Sequence, residues 1–135
     1  MPYGQLGTIA GGMVYFEAAI SKCHTVKSVF AGKNYTSLPR TDIIYTHCDD
    51  DGVLIEAAVN AGAQGIIYAG SGMGSIHCGA EAALLKAMQR GAAVVRSTRV
   101  SEGRVLAANP KWSEAGFISG GNLNRRRREF YCSLL

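Results

Sequence analysis

The stretch that decides the fold reads Gly65-Ile66-Ile67-Tyr68-Ala69-Gly70-Ser71-Gly72-Met73-Gly74-Ser75, near the middle of a chain of 135 residues. A short apolar run that passes directly into a glycine-rich turn is typical of a buried strand followed by a tight loop. Similar apolar runs lie on either side, at Ile43-Ile44-Tyr45 and at residues 93–96. Because helical stretches separate the runs, the pattern predicts right-handed βαβ units around a parallel sheet.

Two helices are predicted between these three strands. The first begins after Asp50 or Asp51, because a carboxylate there accepts hydrogen bonds from the free amides of a helix start. Leu54, Ala58 and Ala61 lie at helical spacing, and Gly62 follows as a typical glycine beyond a helix end. The second covers about residues 77–90, ends before Gly91, and carries one apolar face of Ala80, Leu84, Ala87 and Met88.

Both ends of the chain carry shorter signals. Gly11-Gly12 between two apolar runs predicts a β-hairpin within residues 3–16, and residues 17–40 form a polar connector. The pattern at residues 117–119 predicts a short fourth strand. The C-terminal residues are predicted to form a helix. The predicted fold class is therefore α/β, a small parallel-sheet βαβ (Rossmann-like) domain preceded by a β-hairpin and connector.

Most of the distinctive residues fall where a predicted strand ends. These positions are 45–51, 70–75, 97–100 and 120–124. Ligands and interfaces on parallel sheets gather at the carboxyl ends of the strands. We therefore expect the functional residues to lie together at this one edge.

Charge and hydropathy argue against two classes of partner. The net charge is +4, but Arg125 to Arg128 together with Glu129 account for three of these charges. A nucleic-acid binder usually spreads lysine and arginine over one face, so we expect no nucleic-acid partner. No apolar run reaches the roughly 18 residues that span a bilayer, so we expect no membrane partner. No basic-apolar-small signal peptide opens the chain.

Four local patterns could indicate other sites, and each has a simpler interpretation. The cysteines at positions 23, 48, 78 and 132 lack zinc spacing, which favours free, buried or half-buried thiols and no metal. Adjacent residues in the 47–51 run rarely converge on one ion, which favours a helix cap with solvated carboxylates. His24 and His77 are expected in connector and helix-start roles. The 70–75 loop lacks the third glycine of a dinucleotide site, which favours a tight turn at a subunit interface.

Five segments together resemble the small C-terminal domain of a bacterial type II L-asparaginase or glutaminase-asparaginase. They are Leu38-Pro39, Asp42-Ile43-Ile44-Tyr45, the 65–75 stretch, Val94-Val95-Arg96-Ser97-Thr98-Arg99 and Asn122-Leu123-Asn124. Residues 3–9 are similar to the hairpin that closes the large N-terminal domain of that family. The resemblance implies that residues 1–40 end the large domain and that residues 41–135 are the C-terminal domain, with an atypical tail from residue 125.

This resemblance implies an amidohydrolase that releases ammonia from asparagine, and in some members from glutamine. A threonine nucleophile needs a neighbouring base, and the family keeps its Thr-Asp-Lys set in the N-terminal domain. Residues 7–12 also look like the nucleophile motif around Thr8, but the apolar strand and Thr-Gly pair that should precede that motif are missing. Thr8 is therefore disfavoured, no catalytic residue is assigned, and the chain alone is expected to be inactive.

In the family, the small domain of one subunit borders the active site of another. The resemblance implies that Ser75 approaches the amino and carboxylate groups of the substrate. It also implies that Asn109 lies near the position of a second residue that contacts the substrate. The implied subunit interface comprises Gly70, Gly72, Met73, Gly74, Asn122 and Asn124. The resemblance further implies a homotetramer, a periplasmic location for the full-length family member, and no cofactor.

The tail departs from the family after Asn124, where an arginine run replaces a proline and an amphipathic helix. The abrupt start at Met1 and this tail indicate a C-terminal fragment from a truncated reading frame. The alternative is a non-catalytic α/β protein-interaction module, or the relic of a truncated gene, whose exposed interface binds another chain.

Overall fold

A computed structural model describes residues 7–16, 27, 31–32, 36–101, 104–106 and 110–121. The chain divides into two compact units, residues 1–37 and residues 38–135. Their assignment to the two domains of an asparaginase remains a prediction. The predicted C-terminal helix, His24, Cys23 and Cys132 lie outside the described residues.

The first unit contains the predicted hairpin. Strands β1 (Gly7–Ala10) and β2 (Met13–Phe16) pair antiparallel, with Gly7 opposite Phe16 and Ala10 opposite Met13. Gly11 and Gly12 form the two-residue turn with φ angles of 58° and 75°. Two successive positive φ angles match the twist of the flanking strands, which is why a glycine pair marks such hairpins.

The second unit is an α/β domain with a four-stranded parallel sheet. Its elements are β3 (Thr41–Tyr45), α1 (Val53–Asn60), β4 (Gly65–Gly70), α2 (Cys78–Gln89), β5 (Ala93–Thr98), α3 (Pro110–Glu114) and β6 (Ile118–Ser119). The strand order is β3-β4-β5-β6, and every neighbouring pair is parallel. The sequence predicted this architecture but missed α3, although proline at a first helical position is a recognised start signal.

The main core lies between one face of the sheet and the helices. Helix α2 buries the apolar face predicted for it, against strand residues that include Ile66 and Val94. Helix α1 buries Ile55 and Ala58, whereas the predicted Leu54 is 54% exposed. Helix α1 itself is confirmed, but of the three residues at helical spacing only Ala58 is buried, because residues 53–55 are all apolar and spacing alone does not choose the buried one. Ile67 and Val95 form a second apolar cluster with other strand residues.

The helix ends explain several polar residues and glycines. The cap of α1 is Gly52 rather than Asp50 or Asp51, although Asp51 Oδ1 accepts a hydrogen bond from Val53 N at 3.0 Å. A side chain at Gly52 would place its Cβ 2.6 Å from Ala83 Cβ, so only glycine lets the start of α1 approach α2 this closely. His77 caps α2, which confirms its predicted helix-start role.

Candidate functional site

The carboxyl ends of the parallel strands meet at one edge of the sheet, and the hydrogen bonding continues beyond them. Thr46 N donates to Ala69 O at 3.1 Å, and Arg99 N donates to Gly70 O at 2.8 Å. Gly120 N donates to Arg96 O at 3.0 Å. The segments that follow the four strands are therefore neighbours, as the sequence predicted.

The glycine-rich loop, residues 70–75, forms a closed turn at this edge. Gly74 N and Ser75 N both donate to the Ser71 carbonyl oxygen at 2.9 Å. A Cβ atom at Gly70 would overlap the carbonyl oxygen of Ser75, so glycine is required where the two ends of the loop meet. The turn leaves Ser71, Gly72, Met73 and Ser75 exposed and buries Gly70 and Gly74.

Strand β5 holds the glycine-rich loop from one side. Thr98 Oγ1 donates to the Gly72 carbonyl oxygen at 2.5 Å, and Arg96 Nε donates to the Gly74 carbonyl oxygen at 3.2 Å. Gly74 has a φ of 82°, and a Cβ there would lie 2.8 Å from the Ser97 carbonyl oxygen. The backbone of the loop is thus fixed at two carbonyls, while Ser75 stays accessible.

A buried polar network around Tyr68 connects β4 to the segment after β3 and to the start of α2. The Tyr68 hydroxyl donates to Asp50 Oδ2 at 2.7 Å and lies 3.0 Å from Thr46 Oγ1. His77 N lies 3.4 Å from the same hydroxyl, and His77 Nδ1 lies 2.9 Å from the Asp50 carbonyl oxygen. Burial is the main cause that raises the pKa of Tyr68 to about 12. Tyr68 is therefore a neutral donor that joins the segment after β3 to the start of α2.

Arg96 connects the same edge to α3. Its guanidinium donates from Nη2 to the Leu106 carbonyl oxygen at 3.3 Å and lies 4.2 Å from the centre of the Trp112 ring. Trp112 Nε1 donates to Glu81 Oε1 at 3.0 Å, and Lys111 Nζ lies 2.8 Å from Glu81 Oε2. The hydrogen bond from Lys111 is the main cause that lowers the pKa of Glu81. Helix α3 is therefore fastened to both α2 and β5.

The structure brings together some of the predicted site residues. Gly70, Gly72, Met73, Gly74 and Ser75 all belong to the one turn described above. Three further predicted residues, Asn109, Asn122 and Asn124, lie outside the described residues, as does the tail from residue 125.

Thr8 lies in β1 of the first unit, opposite Tyr15. Its buried hydroxyl has no hydrogen-bond partner within the described ranges. No base there is bonded to it in the way that an activated threonine nucleophile requires.

Sequence reasoning missed Tyr68, Arg96 and Trp112 as parts of the site. Arg96 did carry a signal, because a charged side chain in the middle of an apolar strand is rarely buried without polar partners. Tyr68 and Trp112 carried none, since each acts through contacts with segments far away in sequence.

The structure tests the predictions made for the cysteines and for the 47–51 run. Cys48 and Cys78 are free thiols, as predicted, but both are exposed rather than buried or half-buried. Among the residues that the structure describes, no group of three or more histidine, cysteine or acidic side chains could hold a metal ion. Asp49 and Asp51 are exposed as predicted. Asp50 is buried rather than solvated, because its carboxylate accepts a hydrogen bond from the Tyr68 hydroxyl. His47 Nδ1 lies 2.7 Å from the Cys48 carbonyl oxygen. None of the described helices has the length and hydropathy to cross a bilayer.

Sequence comparison connects the chain to known proteins. The profile of the glutaminase/asparaginase C-terminal domain matches residues 40–127. L-asparaginase 2 of Bacillus subtilis is 40% identical over 124 residues, which are 92% of this chain and 32% of that protein. A probable periplasmic L-asparaginase of Haemophilus influenzae is 35% identical over 126 residues, 93% of this chain and 36% of that protein. The chain thus spans about a third of the length of these relatives.

A solved structure shares the fold. The crystal structure of a probable cytoplasmic L-asparaginase from Campylobacter jejuni superposes with a TM-score of 0.75 and 38% sequence identity. The match covers 94% of this chain and 42% of that one. It therefore extends over nearly all of the present sequence.

Proposed function

Because the chain belongs to the glutaminase/asparaginase C-terminal domain family, we propose that it forms one part of an amidohydrolase that releases ammonia from asparagine or glutamine. In this proposal the chain supplies a substrate contact and a subunit interface, and the nucleophile comes from an N-terminal domain. The observation that carries the proposal is an exposed Ser75 at the end of a turn whose backbone is fixed by internal and external hydrogen bonds.

The chemistry of this turn suits a small polar ligand. A serine hydroxyl offers one donor and two acceptor lone pairs, which match an ammonium or a carboxylate group of an amino-acid amide. Ser75 directly follows Gly74 at the end of a short glycine-rich loop and is exposed, so a ligand can approach it closely. A side chain whose backbone is already ordered loses little entropy on binding.

The proposed interface involves apolar side chains that the described residues leave exposed. Tyr45, Met73 and Val100 follow or end three different strands and are 44%, 54% and 45% exposed. Exposed apolar side chains that end neighbouring strands favour a surface that another subunit covers. We take the partner to be a further asparaginase subunit in a homo-oligomer, a homotetramer in the full enzyme. For the complete protein we propose the periplasm, on the name of the Haemophilus influenzae relative.

Reconstitution tests this proposal. The purified chain alone should release no ammonia from asparagine or glutamine above background. Adding the separately produced N-terminal part of the Bacillus subtilis relative should restore ammonia release, because that part would supply the nucleophile and its base. A coupled ammonia assay measures both. Ammonia release by the chain alone that Thr8→Ala abolishes would overturn the proposal, and a folded mixture that stays inactive would favour a non-catalytic interaction module.

Ser75→Asn should change substrate preference in a complete enzyme that carries this domain. Asparagine at this place fills more space and offers different donors and acceptors, so turnover of the longer glutamine should fall relative to asparagine. The expected change in relative barrier is about 1 kcal/mol, a typical net hydrogen-bond contribution. The ratio of kcat/KM for the two amides measures it. Ser71→Asn, an exposed serine of the same loop, is the matched control, and equal ratios for both variants would show that Ser75 has no special role.

A further inference from the structure

Arg96 is a charged side chain in an unusually buried position. It lies in β5 between Val95 and Ser97, and only 3% of its surface is exposed. Burying a guanidinium is costly unless its donors are satisfied, so the groups that satisfy it are tightly held in return. Burial lowers the pKa of Arg96, but an arginine remains charged at any physiological pH.

The groups that Arg96 holds lie on three different segments, which are the glycine-rich loop, the chain after β5 and helix α3. They are the Gly74 carbonyl at 3.2 Å, the Leu106 carbonyl at 3.3 Å and the Trp112 ring at 4.2 Å. The guanidinium is flat and presents its donors in a fixed fork, so it fixes directions as well as distances. A lysine would keep the charge but could not reproduce this geometry.

The Gly74 carbonyl is the contact that matters for the candidate site. Its carbon is bonded directly to the nitrogen of Ser75, and that nitrogen donates to Ser71 O at 2.9 Å. The other face of Gly74 is closed, because a Cβ there would lie 2.9 Å from Val105 Cγ1. A shift of the guanidinium therefore shifts the peptide that carries Ser75, with little room for the loop to compensate.

We propose that Arg96 is a positioning residue that sets the place of Ser75 through the Gly74 carbonyl, while its stacking on Trp112 fixes the guanidinium itself. The inference rests on the proposed function for its catalytic consequence. Its structural part, the control of the glycine-rich loop by Arg96, stands on the contacts alone.

The structural part is tested on the 135-residue chain. Arg96→Lys should speed hydrogen exchange of the Gly74 and Ser75 amides by about tenfold or more, the loss expected for a hydrogen bond from a charged donor. The amides of Ile66 and Ile67 should keep their protection, since they lie in the sheet core. Trp112 is the only tryptophan of the chain, so its fluorescence reports directly whether the stacking contact has changed.

Two further variants complete this test. Arg90→Lys is the matched control, because Arg90 is exposed and bonds Asn60 on α1, away from the loop. Trp112→Phe weakens the stacking without changing the arginine, so it should also speed hydrogen exchange of the Gly74 and Ser75 amides. It serves as the test variant if Arg96→Lys does not fold. Unchanged protection of Gly74 and Ser75 in a folded Arg96→Lys or Trp112→Phe chain would overturn the inference.

The catalytic part is tested by kinetics in a complete enzyme that carries this domain. Arg96→Lys should raise KM for asparagine about tenfold and leave kcat within about threefold, since the lost interaction concerns substrate placement. In a Ser75→Ala background, Arg96→Lys should have no further effect on KM, because the group that Arg96 positions is gone. Additive effects on KM would show a general structural role and overturn the inference. If Ser75→Ala alone leaves KM unchanged, the proposed function fails, and the exchange experiment still decides whether Arg96 controls the loop.

Discussion

Gly70→Ala is expected to lower the free energy of unfolding by about 3 kcal/mol or more, a loss typical of severe overpacking against a rigid neighbour. The new Cβ would overlap the carbonyl oxygen of Ser75 and lie 2.9 Å from the carbonyl carbon of Ser75 and 3.0 Å from that of Gly74. These are backbone atoms of one closed turn, so they cannot swing aside as a side chain would. Urea unfolding followed by circular dichroism measures the loss.

A second glycine in the same loop is the control for this prediction. Gly72 has a φ of 50°, and a Cβ there would meet no atom of the described residues within 4 Å. Gly72→Ala should therefore cost only about 1 kcal/mol, the usual penalty of a left-handed backbone for a residue with a side chain. Equal losses for the two variants would show that close packing of the loop ends is not what requires Gly70.

The second large effect concerns alkaline pH and Tyr68. The folded chain keeps this buried hydroxyl protonated up to a pKa of about 12, whereas a tyrosine in the unfolded chain ionises near 10. Between these values the unfolded state binds fewer protons, so stability is complete below about pH 10 and is lost as the pH rises. The loss across the window should amount to about 3 kcal/mol, two pKa units at about 1.4 kcal/mol each.

Tyr68→Phe should remove this alkaline loss. The variant should be less stable near neutral pH by about 1–3 kcal/mol, because the buried Asp50 carboxylate loses the hydrogen bond to its Oδ2. Its stability should then change less than that of the natural chain between about pH 9 and about pH 12. Urea unfolding at several pH values gives both slopes, and Tyr45→Phe, a tyrosine that is 44% exposed, is the control. An alkaline slope that persists in Tyr68→Phe would mean that another group controls it.

The sequence predicted the elements whose signals are local. Short apolar runs separated by helical stretches located β3, β4 and β5, and the glycine pair located the hairpin, because each signal depends on residues close together in the chain. The sequence also located α1 but did not identify Ile55 as a buried residue, since three consecutive apolar residues satisfy more than one helical stripe. Helix α3 was missed because its five residues are too few for a periodic pattern.

The candidate site was predictable only in part, for a related reason. The parallel sheet predicted that Ser75 would stand at the edge where the strands end. The contacts between Arg96 and Trp112, and between Tyr68 and Asp50, join side chains that lie 16 and 18 positions apart. Such pairs depend on the direction of each side chain in the folded state, and no spacing rule of helices or strands supplies that.

The two helices of the main core both return to the sheet through a glycine turn at the opposite edge. Gly62 and Gly91 each have a φ of 90°, and a Cβ at either would meet nothing within 4 Å among the described residues. They come shortly before the first residues of β4 and β5, so they lie at the far end of these strands from Ser75. A peptide tag or dye inserted at either turn would therefore leave the glycine-rich loop untouched, and a surface that captures the tag would hold the domain with Ser75 facing the solution.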